Sequence, residues 1–173
     1  MLNIPNMPQS PLQLLNKVIA SYNDRKFEQA LMQGNEIINL YPLYHPIHNI
    51  LGAINSILGH NEQAVHHLRQ AIKLEPNHSH AYNNLGVALK NLFKYEEAQQ
   101  MIEKAIKIKP DDAKAYRNLG DIFKEQNHND LAVQYYRISI QIDPSCFEVV
   151  RNLGATLQGL TRFDEALSCF ESF

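Results

Sequence analysis

Apolar residues recur along this chain at helical spacing, in short runs that stop and begin again. Tyr82, Leu85, Gly86 and Leu89 make one stripe; Tyr95, Ala98, Ile102, Ala105, Ile106 and Ile108 make a second. The following stretch repeats the pair, with Tyr116, Leu119, Gly120 and Phe123, then Ala132, Tyr136 and Ile140. No strand-like alternation of comparable length competes, so the pattern predicts an all-α chain built of helix pairs. Pro110 ends the second stripe, because proline lacks an amide donor and the residue before it avoids the helical region. Ser10 before Pro11 predicts an N-cap, and Gln13 completes a capping box.

The helix pairs return at a fixed step. Pro42, Pro76, Pro110 and Pro144 stand 34 residues apart, and Ala30, Ala64, Ala98, Ala132 and Ala166 keep the same interval. A period of this length means one supersecondary unit copied and stacked. With proline at position 32 of the unit, residues 1–10 are a leader and 11–173 a single array. Its repeats are 11–44, 45–78, 79–112, 113–146 and a partial 147–173. Position 8 is Val18, Gly52, Gly86, Gly120 and Gly154; position 20 is always alanine. Glycine within a helix costs about 1 kcal/mol against alanine. Its return at one position therefore predicts close approach of the paired helices, with Tyr82, Tyr95, Tyr116 and Phe163 expected as the opposing space fillers.

Composition narrows the function. A formal net charge of −2 gives no basic field for nucleic acid or an anionic membrane. No apolar run approaches the roughly 20 residues of a membrane span. The start, MLNIPNMPQS, has neither the basic nor the apolar region of a signal peptide. Cys146 and Cys169, the only cysteines, form no disulfide framework, so a reducing, cytoplasmic setting is expected. Nor do the residues carry an enzyme signature. Cys146 has no histidine placed near it by the repeat, and Glu96-Glu97 and Asp164-Glu165 suit the starts of second helices. Of the eight histidines, His66 and His67 point about 100° apart on a helix, and His45 with His48 lacks a third ligand. No cofactor or metal is expected.

NNLGVAL at 83–89, RNLGDIF at 117–123 and RNLGATL at 151–157, with YEEA at 95–98 and FDEA at 163–166, give a further clue. With these motifs the chain resembles the tetratricopeptide repeat family over 11–173. The first repeat departs most, with Lys17 and Gly34 at positions the family keeps apolar. The resemblance implies a right-handed α-solenoid whose first helices line a concave, protein-binding face. NLGVALKNL at 84–92 is also similar to repeats of protein O-linked N-acetylglucosamine transferases and related bacterial glycosyltransferases. That implies an alternative, the non-catalytic, substrate-recruiting region of a larger transferase.

The family's inner positions fall here on Asn84, Asn118 and Asn152, a ladder one repeat apart. An asparagine amide donates and accepts, so it can pair with any extended peptide backbone. Around the ladder stand Asn83, Lys90, Lys114, Arg117, Asp121, Lys124, Glu125 and Arg151. Toward the start the same positions hold Asn49 and Ile50 amid apolar Leu15, Ile19, Ala53 and Ile57, which Leu2, Ile4 and Met7 of the leader are alternatively placed to cover. The expectation is a groove for an extended segment with a hydrophobic anchor and an acidic part near Arg117 and Arg151. The carboxylate clamp of chaperone-binding members is not expected: of Asn49, Ala53, Asn84, Lys114 and Asn118, only Asn84 and Lys114 match it. Leu167, Phe170 and Phe173 continue an apolar stripe to the last residue, which a following helix or a second copy would cover.

Overall fold

The computed structural model describes residues 10–171, and of Glu171 the backbone alone. Leu2, Ile4, Met7 and Phe173 lie outside the described residues. The described residues form ten α-helices and no strand: α1 Pro11–Asn23, α2 Phe27–Leu40, α3 His45–Ile57, α4 Asn61–Leu74, α5 Ser79–Asn91, α6 Tyr95–Ile108, α7 Ala113–Glu125, α8 Asn129–Ile142, α9 Phe147–Gly159 and α10 Phe163–Glu171. No described helix is long and apolar enough to cross a membrane.

Local chemistry sets the helix ends. Ser10 Oγ accepts from the Gln13 amide, and Gln13 Oε1 accepts from the Ser10 amide, which closes the capping box. Tyr41, Glu75, Lys109 and Asp143, each directly before a periodic proline, leave the helical region at φ −137°, −137°, −134° and −131°. The turn inside each pair has a second device. Arg25, Gly59, Phe93, Asn127 and Thr161, all at position 15, adopt positive φ. The amide of the next residue then reaches back five residues. Lys26 bonds Ser21 O at 2.9 Å, His60 bonds Asn55 O at 2.8 Å, Lys94 bonds Leu89 O at 3.0 Å, His128 bonds Phe123 O at 2.8 Å and Arg162 bonds Leu157 O at 2.9 Å. This left-handed closure satisfies carbonyls that a helix end otherwise leaves unpaired.

The chain divides into two compact units, residues 1–76 and 77–173. In the first, α1 packs on α2, α2 on α3 and α3 on α4, around Leu15, Val18, Ala30, Ile37, Ile47, Leu51 and Ile54. In the second, α5 through α10 each pack on the next, over buried Leu85, Ile102, Leu119, Tyr136 and Leu153. Both are stacks of antiparallel helix pairs, the α-solenoid class.

Small residues let the paired helices close. A Cβ on Gly52, Gly86 or Gly154 would collide with Leu68, Ile102 or Phe170, and one on Gly120 would stand 2.5 Å from Tyr136 Cε1. These partners all occupy position 24 of the repeat. They replace the fillers expected from sequence: Phe163 is 63% exposed, while Tyr82, Tyr95 and Tyr116 are half-buried at the margins. The first repeat inverts the arrangement. Val18, fully buried, takes position 8, and Gly34 takes position 24. Space beside Gly34 is filled by Leu51, whose Cδ2 would stand 2.6 Å from an added Cβ. The first repeat thus departs from the later ones at both positions, with Lys17 exposed to solvent.

Candidate functional site

In the second unit the first helices α5, α7 and α9 are tied to one another by side chains between 31 and 35 residues apart. Asn118 Nδ2 donates to Asn83 Oδ1 at 2.9 Å, and Lys90 Nζ to Glu125 Oε1 at 2.9 Å. Arg117 Nη1 donates to Glu148 Oε2 at 2.7 Å, and Asn152 Nδ2 to Asp121 Oδ1 at 3.3 Å. Each residue sits where the repeat presents its first helix to the next, so position along the repeat dictates the pairing. The Tyr136 hydroxyl donates to Asp121 Oδ1 at 2.7 Å from beneath. Burial, reinforced by the charge of Asp121, pushes the Tyr136 phenol above its ordinary range and keeps it a donor.

The three asparagines of the expected ladder are therefore not equivalent. Asn118 is buried, with its amide donor committed to buried Asn83 and its Oδ1 3.4 Å from Arg117 Nη2. Asn84 and Asn152 are half-buried, and Asn152 also leans on Asp121. Among the cations, Lys90 and Arg117 face carboxylates, while Lys114 and Arg151 are exposed and Lys124 is half-buried. Lys124 and Arg151 have no carboxylate partner among the described residues. Sequence reasoning missed Glu148 as the partner of Arg117. Opposite charge at position 5 of one repeat and position 2 of the next was the available signal.

Asn49 and Ile50 stand half-buried in α3 of the first unit. Leu15, expected on an open apolar surface, is instead core, whereas Ile19 and Ile57 are 37% and 49% exposed. Of the remaining candidate chemistry, both cysteines are half-buried, and burial pushes the Cys169 thiol up, away from the nucleophilic thiolate. Among the histidines, His45 Nδ1 lies 2.9 Å from Glu75 Oε2. His48 turns inward against Pro42, and His67 meets it from α4. Burial first, then the neighbouring His48 and His66, bring His67 down to about 4, so it is neutral at neutral pH.

Two sequence models, both described as tetratricopeptide repeat, match the chain. One matches 79–112 and 113–146; the other matches 58–92. Together they span 58–146, more than half of the chain. The chain belongs to the tetratricopeptide-repeat family. Both models describe the repeat unit and say nothing of a transferase. No curated protein matches. Among solved structures, MamA 41-end from Desulfovibrio magneticus RS-1 is similar to this repeat protein at 21% identity and TM-score 0.77, over 94% of this chain and 92% of that one. PilF of Pseudomonas aeruginosa shares 18% identity at TM-score 0.82, over 93% and 73% of the two chains. A thermophilic repeat protein from Thermus thermophilus shares 17% identity at TM-score 0.83, over 94% and 89%. At these identities the likeness is one of fold.

Proposed function

We propose that this repeat protein is a protein-interaction scaffold whose α5–α7–α9 face receives an extended, acidic peptide segment. The observation that carries the reading is selective neutralisation. Lys90 and Arg117 are paired to Glu125 and Glu148, whereas Lys124 on α7 and Arg151 on α9 keep uncompensated charge. The paired residues cross-link the helices, so little ordering is lost on binding. Half-buried Asn84 and Asn152 stand on either side of buried Asn118 and are the members of the ladder that solvent, and hence a peptide, can reach. The unpaired cations give the segment its charge preference and speed its encounter.

The test is selection from a random peptide display library, followed by affinity measurement against the double variant Lys124→Glu, Arg151→Glu. Acidic peptides are expected, with affinity falling about tenfold or more in the variant and falling again with added salt. Neutral or basic peptides, or an unchanged affinity, refute the reading. Asn118→Ala is a poor probe, because it strips buried Asn83 of its partner and confuses binding with stability.

A further inference from the structure

A cavity of about 360 Å³ lies between α8, α9 and α10 in the second unit. Ile140, Val150, Leu153 and Cys169 give it an apolar wall, and exposed Arg137 and Gln141 stand at its mouth. Val150 occupies position 4 of the fifth repeat and Cys169 position 23. Those two positions face each other. In the second repeat they hold His48 and His67, whose ring centroids are 5.7 Å apart, and in the fourth they hold Tyr116 and Tyr135. The fifth repeat thus has no ring at either position, and the space is open. Its volume falls within the roughly 300–1,000 Å³ typical of small-molecule sites.

The fourth repeat also indicates the polar group that suits such a ring. Burial first, then the neighbouring Glu103 and Tyr116, raise the Tyr135 phenol. Glu103 is position 25 of the preceding repeat, so an acceptor there acts on a ring that carries a donor. The equivalent residue beside the cavity is Arg137, which reverses the chemistry: a guanidinium only donates. Arg137 Nη2 donates to Glu165 Oε2, and its Nε and Nη1 make no hydrogen bond among the described residues. Glu165 divides its charge between Arg137 and Arg162. We propose that this cavity binds a small single-ring aromatic carboxylate, its ring against Val150, Leu153 and Cys169 and its carboxylate on Arg137. The ring occupies the space that tyrosines fill one repeat earlier, and the carboxylate offers the paired acceptors that a guanidinium fork matches. Lys124, Arg151, Asn84 and Asn152 take no part, so the site stands apart from the peptide reading above.

The experiment is titration of benzoate into the full chain, followed by ¹H–¹³C spectra of the Val150 and Leu153 methyl groups. Benzyl alcohol serves as an uncharged ring of similar size. The expected result is saturable shifts at both residues, with benzoate bound about tenfold more tightly than benzyl alcohol. Arg137→Gln, at an exposed position, should bring benzoate down to the level of benzyl alcohol. Cys169→Tyr, which restores the ring of position 23, should abolish binding of both. Melts without ligand check that each variant folds. No saturable shift at Val150 and Leu153, benzoate bound no better than benzyl alcohol, or undiminished benzoate binding in folded Arg137→Gln or Cys169→Tyr overturns the proposal.

Discussion

The same substitution, glycine to alanine, should have opposite effects at two helical positions of the second unit. At Gly86 a new Cβ would overlap Ile102 Cγ1 and lie 2.9 Å from Ile102 Cδ1 and 3.0 Å from the Ala98 carbonyl oxygen. Ile102 is fully buried and the Ala98 oxygen belongs to the α6 backbone, so neither gives way easily. Alanine recovers about 1 kcal/mol of helix propensity. Overpacking a dense core costs about 1–3 kcal/mol. With a backbone atom in the contact the upper part of that range applies, for a net loss of about 1–2 kcal/mol. At Gly159, the last residue of α9, nothing lies within 4 Å of an added Cβ. There alanine should gain about 0.5–1 kcal/mol. Urea unfolding of the full chain followed by circular dichroism measures both. Ile102→Ala supplies the control: its cavity should absorb the new methyl, so that the double variant is more stable than the two single losses added together. Gly86→Ala as stable as the parent, or no coupling to Ile102, would refute the close-approach account of the seam.

Two further outcomes follow from the turns and the outer charges. Phe93 holds φ 59° and is 76% exposed. Phe93→Gly should relieve about 1–2 kcal/mol of left-handed strain against about 0.5–1 kcal/mol of added chain entropy, raising the urea midpoint. A lowered midpoint would mean that the edge contact of Phe93 with Tyr95, centroids 6.3 Å apart, outweighs the strain. Hydrogen bonds from Arg162 and then Arg137 hold Glu165 at about 2, below the ordinary carboxylate range. Its contribution is therefore complete above the unfolded value of about 4.3 and is lost as pH falls through about 2. Glu165→Gln should flatten that part of the melting temperature against pH, and an unchanged profile would show the pairing contributes nothing.

What the sequence reveals is what acts within one repeat. The prolines mark the ends of α2, α4, α6 and α8, and Ser10 with Gln13 marks the start of α1, because each acts on its own backbone. The position-24 partners of the glycines are harder to find, since Leu68, Ile102, Tyr136 and Phe170 share no side-chain type. The left-handed turns are harder still. Arg25, Phe93 and Thr161 are poor formers of that conformation, and backbone hydrogen bonds impose it on them. The ties between first helices link residues of different repeats, as Asn83 and Asn118 do, so they emerge only when α5, α7 and α9 are set side by side. His48 and His67 escaped notice for a related reason. Proximity in sequence directs attention to His45 with His48, while the antiparallel pairing of α3 and α4 selects a partner on the other helix.

The residue that fills the space beside Gly34 bears on how such an array can be inherited and rearranged. That residue, Leu51, stands at position 7 of the second repeat. Leu85, Leu119 and Leu153 keep leucine at the same position, whereas the first repeat carries Lys17 there. A tandem duplication of the first repeat would therefore set lysine against Gly34 in place of leucine. The first repeat fits ahead of a leucine-bearing repeat and not ahead of a copy of itself.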